Sequence, residues 1–220
     1  MVGGAEAWLI IDDKALLKKG ERSVGVAPQY ASALGKNANC QTLVSLTLAS
    51  GEVPIMVGLR LYLPESWTSD PTRLARAGVP DHHRGYRAKP EIALAEIDRA
   101  RTAGLRFACA LADAGYGLSA LFRQALSERG LTWAVGIGAR QEVYPVDVDL
   151  VFPVSGRGRP RKNHVPDAKS VSAEKTLAAA PWRMRTRPNQ VCPAIAHRSA
   201  LPIAAIFHPL SFSLRRTGGV

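Results

Sequence analysis

Three aspartates are the residues best placed to do chemistry. Asp12 and Asp13 close the apolar run AWLIID (7–12), and Asp113 closes a second run, LRFACALAD (105–113). Each run reads as a buried strand that delivers carboxylates at its C-terminal end. If the two strands are neighbours, the carboxylates converge, and like charges on one spot repel unless a cation lies between them. Carboxylate oxygens are hard donors that suit Mg²⁺ or Mn²⁺. On a phosphodiester, such a site supports a pair of ions roughly 3.5–4 Å apart that activates a nucleophile and stabilises the leaving oxygen. The simpler alternative is that each Asp caps the loop or helix that follows it.

A second group of residues is basic. GRGRPRK (156–162) places Arg157, Arg159, Arg161 and Lys162 around a Gly-Arg-Pro turn. Extended Arg flanking such a turn resembles the AT-hook, an arm that fits the narrow A·T minor groove. A solvated basic linker is the competing reading. Lys18 and Lys19, ahead of Gly20, have the chemistry to approach a phosphate, as an exposed turn also would. Asp81-His82-His83 puts adjacent histidines in a loop, a spacing poorly suited to one ion, and Gly136-Ile137-Gly138 lacks the third glycine of a dinucleotide fold.

The elements that must carry these residues follow from periodicity. After AWLIID comes a Gly-marked turn and a short extended stretch in 18–30. NCQTLVSLTLAS (39–50) and GEVPIMVGLRLYL (51–63) then read as a hairpin. Asp70 is a plausible N-cap and Pro71 a first helical residue for 70–80, with Gly78 near its end. KPEIALAEIDRARTAG (89–104) is a stronger helix, with Ile92, Ala95, Ile97 and Ala100 as its apolar stripe. Residues 116–130 read as one helix with Leu118, Leu121, Phe122, Ala125 and Leu126 on one side, and 131–138 as another buried strand. Residues 142–154 suit one or two strands. The expected fold is α/β: a mixed sheet of three antiparallel strands followed by parallel ones joined through crossover helices.

Composition frames this. The 220 residues carry 29 Lys+Arg against 18 Asp+Glu, a formal net charge of +11, with 46% hydrophobic residues. That balance excludes a wholly disordered chain and points to a polyanionic partner, most simply nucleic acid. No apolar run reaches the ~20 residues of a membrane span, no charged-then-apolar leader opens the chain, and three scattered cysteines fit neither a disulfide framework nor a zinc site. A cytoplasmic setting without membrane partners is the expectation. The charge is uneven: after Glu174 come seven basic residues and no acid. This Pro- and Arg-rich stretch is either a DNA-binding arm or a segment foreign to the fold before it.

The stretch from IIDDKALLKKGERSVGVAPQYASALGKNANCQTLVSLTLASGEVPIMVGLRLYLPESW, through KPEIALAEI to LADAGYG, resembles the DDE transposases of bacterial insertion sequences of the IS701 type, within the IS4-like group. The resemblance spans about residues 7–183. It implies a ribonuclease-H-like core and metal-dependent hydrolysis at a transposon end, followed by attack of the freed 3′-OH on target DNA. By position Asp12 matches the first catalytic carboxylate and Asp113 the second. Both would hold Mg²⁺ or Mn²⁺, with Asp13 the neighbouring acid. Double-stranded DNA, as transposon end and target, would be the partner, together with a second copy or an intact transposase in a mixed complex.

Two departures shape the expectation. Family members carry Thr and Gly after the acidic pair, where Lys14 and Ala15 stand here; an ammonium at that place would compete with the cation. The family's third carboxylate is a Glu on a late helix, yet no Glu follows Glu174. The resemblance therefore implies a core holding two of three acids in 1–139, a strand and basic-loop region in 140–184, and an out-of-frame, disordered tail in 185–220. Such an incomplete fold would be catalytically inactive and would leave a sheet face uncovered. The competing readings are a residual DNA-binding or interfering protein, and an unrelated ribonuclease-H-like nuclease drawing a further acid from Glu52 or Asp147.

Overall fold

A computed structural model describes residues 3–50, 53–145, 148–152 and 164–179. Arg157, Arg159, Arg161, Lys162, Glu52, Asp147 and the segment from 180 onward lie outside the described residues, and so do the expectations placed on them. The chain divides into two units, Met1–Val135 and Gly136–Val220.

The first unit is built on a six-stranded mixed sheet. Strands β1 (Trp8–Leu17), β2 (Ala27–Ala31), β3 (Lys36–Ser50) and β4 (Val53–Leu61) are joined by antiparallel pairings, and β5 (Cys109–Ala112) and β6 (Trp133–Val135) add on in parallel. The order β2-β3-β1-β5-β6, with β4 also on β3, puts β1 at the centre. Helices α1 (Glu65–Thr68), α2 (Pro71–Arg76) and α3 (Lys89–Thr102) lead into β5, and α4 (Ala114–Gly117) and α5 (Ala120–Glu128) join β5 to β6. The β3–β4 hairpin follows the sequence pattern. β2 is an additional antiparallel strand, because β3 at 15 residues is long enough to pair β2 at one end and β4 at the other.

Alternation along β1 separates two faces. Leu9 and Ile11 are buried and point to the side covered by α3, where Val44, Leu46 and Leu48 of β3 and Ala93, Ile97 and Ala100 of α3 complete the core. Helix α3 also packs on α5, whose Phe122 and Leu126 are buried. A smaller cluster joins Val26, Trp67, Leu74 and Val79, with the Trp67 indole N–H donating to the Val26 carbonyl at 2.8 Å. Asp70 caps α2 by accepting from the Arg73 N–H, as expected, and Gly78 beyond its end takes φ +70°.

Two local expectations need correction. β1 does not stop at its acids but continues to Leu17, because β3 goes on pairing it from Val44 to Cys40. Asp12 and Asp13 therefore lie within a strand, on opposite faces. The single helix over 116–130 is broken: Asp113 caps the short α4, and Ser119 restarts the chain by accepting from the Phe122 N–H at 3.2 Å. That restart resets the helical phase, leaving Leu118 and Leu121 58% and 78% exposed.

In the second unit, β7 (Glu142–Val143) pairs with β10 (Val171–Ser172) and β8 (Leu150–Val151) with β9 (Val165–Pro166), both antiparallel, before α6 (Ala173–Ala179). Of the two options for 142–154, two short strands form. No helix among the described residues is long and apolar enough to cross a membrane.

Candidate active site

The parallel pairing of β1 with β5 ends at Ile11 opposite Ala112, so the next residues, Asp12 and Asp113, come out side by side. Main-chain pairing on the other flank holds Asp12 opposite Ser45 of β3, and the Ser45 hydroxyl donates to the Asp12 carbonyl at 3.0 Å. Asp113 stands in the turn between β5 and α4 and accepts from the Tyr116 N–H through Oδ1 at 3.3 Å. The capping role and the converging role are thus both filled by this residue.

The electrostatics follow from the crowding. Burial lifts the Asp12 carboxyl above its ordinary range; a hydrogen bond from the Asp13 N–H to Oδ1 at 2.8 Å works against this, and the neighbouring Asp113 and Asp13 charges lift it further. Asp13, on the α3 face, is engaged at both oxygens: the Lys89 ammonium lies 2.5 Å from Oδ2 and the Tyr116 hydroxyl donates to Oδ1 at 2.5 Å. Tyr116 is buried, and that burial together with the carboxylates around it pushes its phenol far above the normal range, which keeps it a donor.

The donor set decides what this place can hold. Asp12 Oδ2 and Asp113 Oδ2 take no hydrogen bond among the described residues. Two hard oxygens from adjacent carboxylates, one of them already uncomfortable as an anion, fit a divalent cation. Asp13 does not present such an oxygen. No group of three or more His, Cys, Asp or Glu side chains able to hold a metal occurs among the described residues.

The remaining candidates are placed as follows. Lys14 shares the Asp12 face; it is exposed, its charge favours the ionised Asp12, and no ion pair between them forms among the described residues. Lys18 and Lys19 follow β1, with Lys18 bonded through its main chain to Asn39. At about 3.3 Å per residue they lie roughly 20 Å along the strand from Asp12, so the fold does not gather them at the carboxylates. Tyr116 and Lys89 were not singled out from sequence. Tyr116 stands three residues after Asp113, the offset at which a capping turn brings it back, and Lys89 opens α3; only the packing of α3 and α4 on β1 shows that both reach Asp13.

One family's sequence profile, described as DDE superfamily endonuclease, matches residues 1–190. No curated protein and no solved structure matches the chain.

Proposed function

The chain belongs to the DDE superfamily endonuclease family, and from that premise we propose that it is a transposase core of the IS701 insertion-sequence type, built for metal-dependent cleavage and joining of DNA. The observation that carries this reading is the parallel β1–β5 register, whose last pair, Ile11 and Ala112, directly precedes Asp12 and Asp113. The mixed sheet is consistent with a ribonuclease-H-like core; on this reading 1–139 is the catalytic part, 140–184 an inserted region and 185–220 a separate tail, of which the family match still covers 185–190.

Asp12 and Asp113 would hold the cation, Mg²⁺ or Mn²⁺. Bound there, it would neutralise charge on a phosphodiester and make water a better nucleophile at neutral pH. The chain's own contribution is to hold both carboxylates in place, Asp12 through the Asp13 N–H and Asp113 through the Tyr116 N–H. The third carboxylate beside them, Asp13, is engaged by Lys89 and Tyr116, no group of three metal-holding side chains occurs among the described residues, and no Glu follows Glu174. Without a third metal-holding carboxylate the leaving oxygen lacks its support, so the 220-residue chain alone is catalytically silent. Incubated with labelled DNA and Mg²⁺ or Mn²⁺, it should leave the substrate intact; strand transfer that Asp113→Ala abolishes would overturn the inactivity.

The concentration of positive charge supports a second property, residual DNA binding, alone or in a mixed complex with an intact transposase. Arg157, Arg159, Arg161 and Lys162 would carry it through the phosphate backbone, with Lys18 and Lys19 as further contacts. A further nuclease acid from Glu52 or Asp147 falls outside the described residues.

A further inference from the structure

Asp13 stands beside the candidate site with no oxygen to spare. Its Oδ2 takes the Lys89 ammonium and its Oδ1 the Tyr116 hydroxyl, each at 2.5 Å. Tyr116 also donates its backbone N–H to Asp113 at 3.3 Å, while the Asp13 N–H donates to Asp12 at 2.8 Å. A continuous run of hydrogen bonds therefore joins Asp12, Asp13, Tyr116 and Asp113, and Lys89, the first residue of α3, ties it to that helix.

The run has a physical task. Asp12 and Asp113 come from separate segments, and the pairing that aligns them stops one residue earlier. Their like charges push them apart. Tyr116 is a firm anchor, since it is buried and its ring packs against Phe122 with centroids 5.5 Å apart. Turning Asp13 toward a cation would strand that buried hydroxyl, which is costly.

We propose that Tyr116, Asp13 and Lys89 form a clamp that sets the spacing of Asp12 and Asp113, Asp13 acting as a positioning residue and not as a ligand. This rests on the reading of Asp12 and Asp113 as the cation-holding pair. Groups that orient ligands in this way are worth about tenfold or more in metal affinity.

The test uses the full chain and four variants: Tyr116→Phe, Lys89→Met, Asp13→Asn and, as reference, Asp12→Asn. Mn²⁺ titration calorimetry should show about a tenfold weakening for each of the first three, no further loss when Tyr116→Phe is combined with Asp13→Asn, recovery in Lys89→Arg, and no binding for Asp12→Asn. Amide exchange without metal should quicken at residues 115–117 in the same three variants, with protection of β3 unchanged. The clamp is overturned if Asp13→Asn abolishes Mn²⁺ binding while Tyr116→Phe alters neither affinity nor exchange, or if protection falls throughout the sheet. A parent chain that takes no Mn²⁺ removes the cation-site reading alone, and the exchange measurement still decides the clamp.

Discussion

Asp12 is a carboxyl that the fold holds at a cost. Burial and the Asp113 charge lift it above its ordinary range, so the folded chain favours the protonated form more than the unfolded chain does. The sign follows by linkage: this group's contribution to stability is fully present below its unfolded value and is lost as pH rises through the raised folded value. At neutral pH the ionised Asp12 therefore weakens the metal-free chain. Asp12→Asn should raise the unfolding midpoint at pH 7 by about 2 °C, a small effect because the group is partly solvated. At pH 3 the gain should disappear. A thermal melt at both values checks this, and a midpoint that falls at pH 7 would refute it. Its strand neighbour Asp13 bonds to Lys89 and Tyr116 instead.

Among the elements, α3 is fixed to the sheet by a charge the sequence does not advertise. Glu96 is buried within the helix, and Arg60 of β4 and Arg99 of α3 both reach it, at 2.5 Å and 2.8 Å. The apolar stripe read from the sequence, Ile92, Ala95, Ile97 and Ala100, describes a helix face; Ala93 and Glu96 replace Ala95 at the buried surface. Gly58 of β4 leaves room beside this cluster, where a Cβ would come within 3.2 Å of Leu46 Cβ and 3.3 Å of Glu96 Oε2. Either arginine alone keeps the buried carboxylate paired, whereas losing both strands it. Arg60→Met and Arg99→Met should each destabilise modestly, and the double variant should exceed their sum by about 1 kcal/mol in urea unfolding. Additive losses would mean that the arginines act independently. Because α3 also presents Lys89 to Asp13, this anchor bears on the site's geometry.

At the scale of the whole molecule, charge and exposed apolar surface govern behaviour. β4 lies at the sheet edge and exposes Val53, Ile55, Met56 and Leu59. Edge strands of this composition recruit other chains. Met56→Lys with Leu59→Lys should lower light scattering on warming without shifting the unfolding midpoint; unchanged scattering would clear β4 of that role. The net charge of +11 predicts salt-sensitive DNA affinity. Neutralising Arg157, Arg159, Arg161 and Lys162 should reduce the slope of log affinity against log salt by ~3–4. An unchanged slope would place the contacts elsewhere.

The order and type of the main elements are legible in the sequence, because apolar periodicity and caps such as Asp70 are local properties. Asp12 and Asp113 draw attention in the same way, since each closes an apolar run. The sequence did not show that β1 runs through its acids, or that residues 116–130 restart at Ser119, because pairing with β3 and capping geometry override propensity. The different surroundings of Asp12 and Asp13 come from tertiary packing. Neighbours in a strand face opposite sides of a sheet, and only the packing of α3 and α4 determines that one side brings Lys89 and Tyr116 while the other leaves a carboxylate oxygen free.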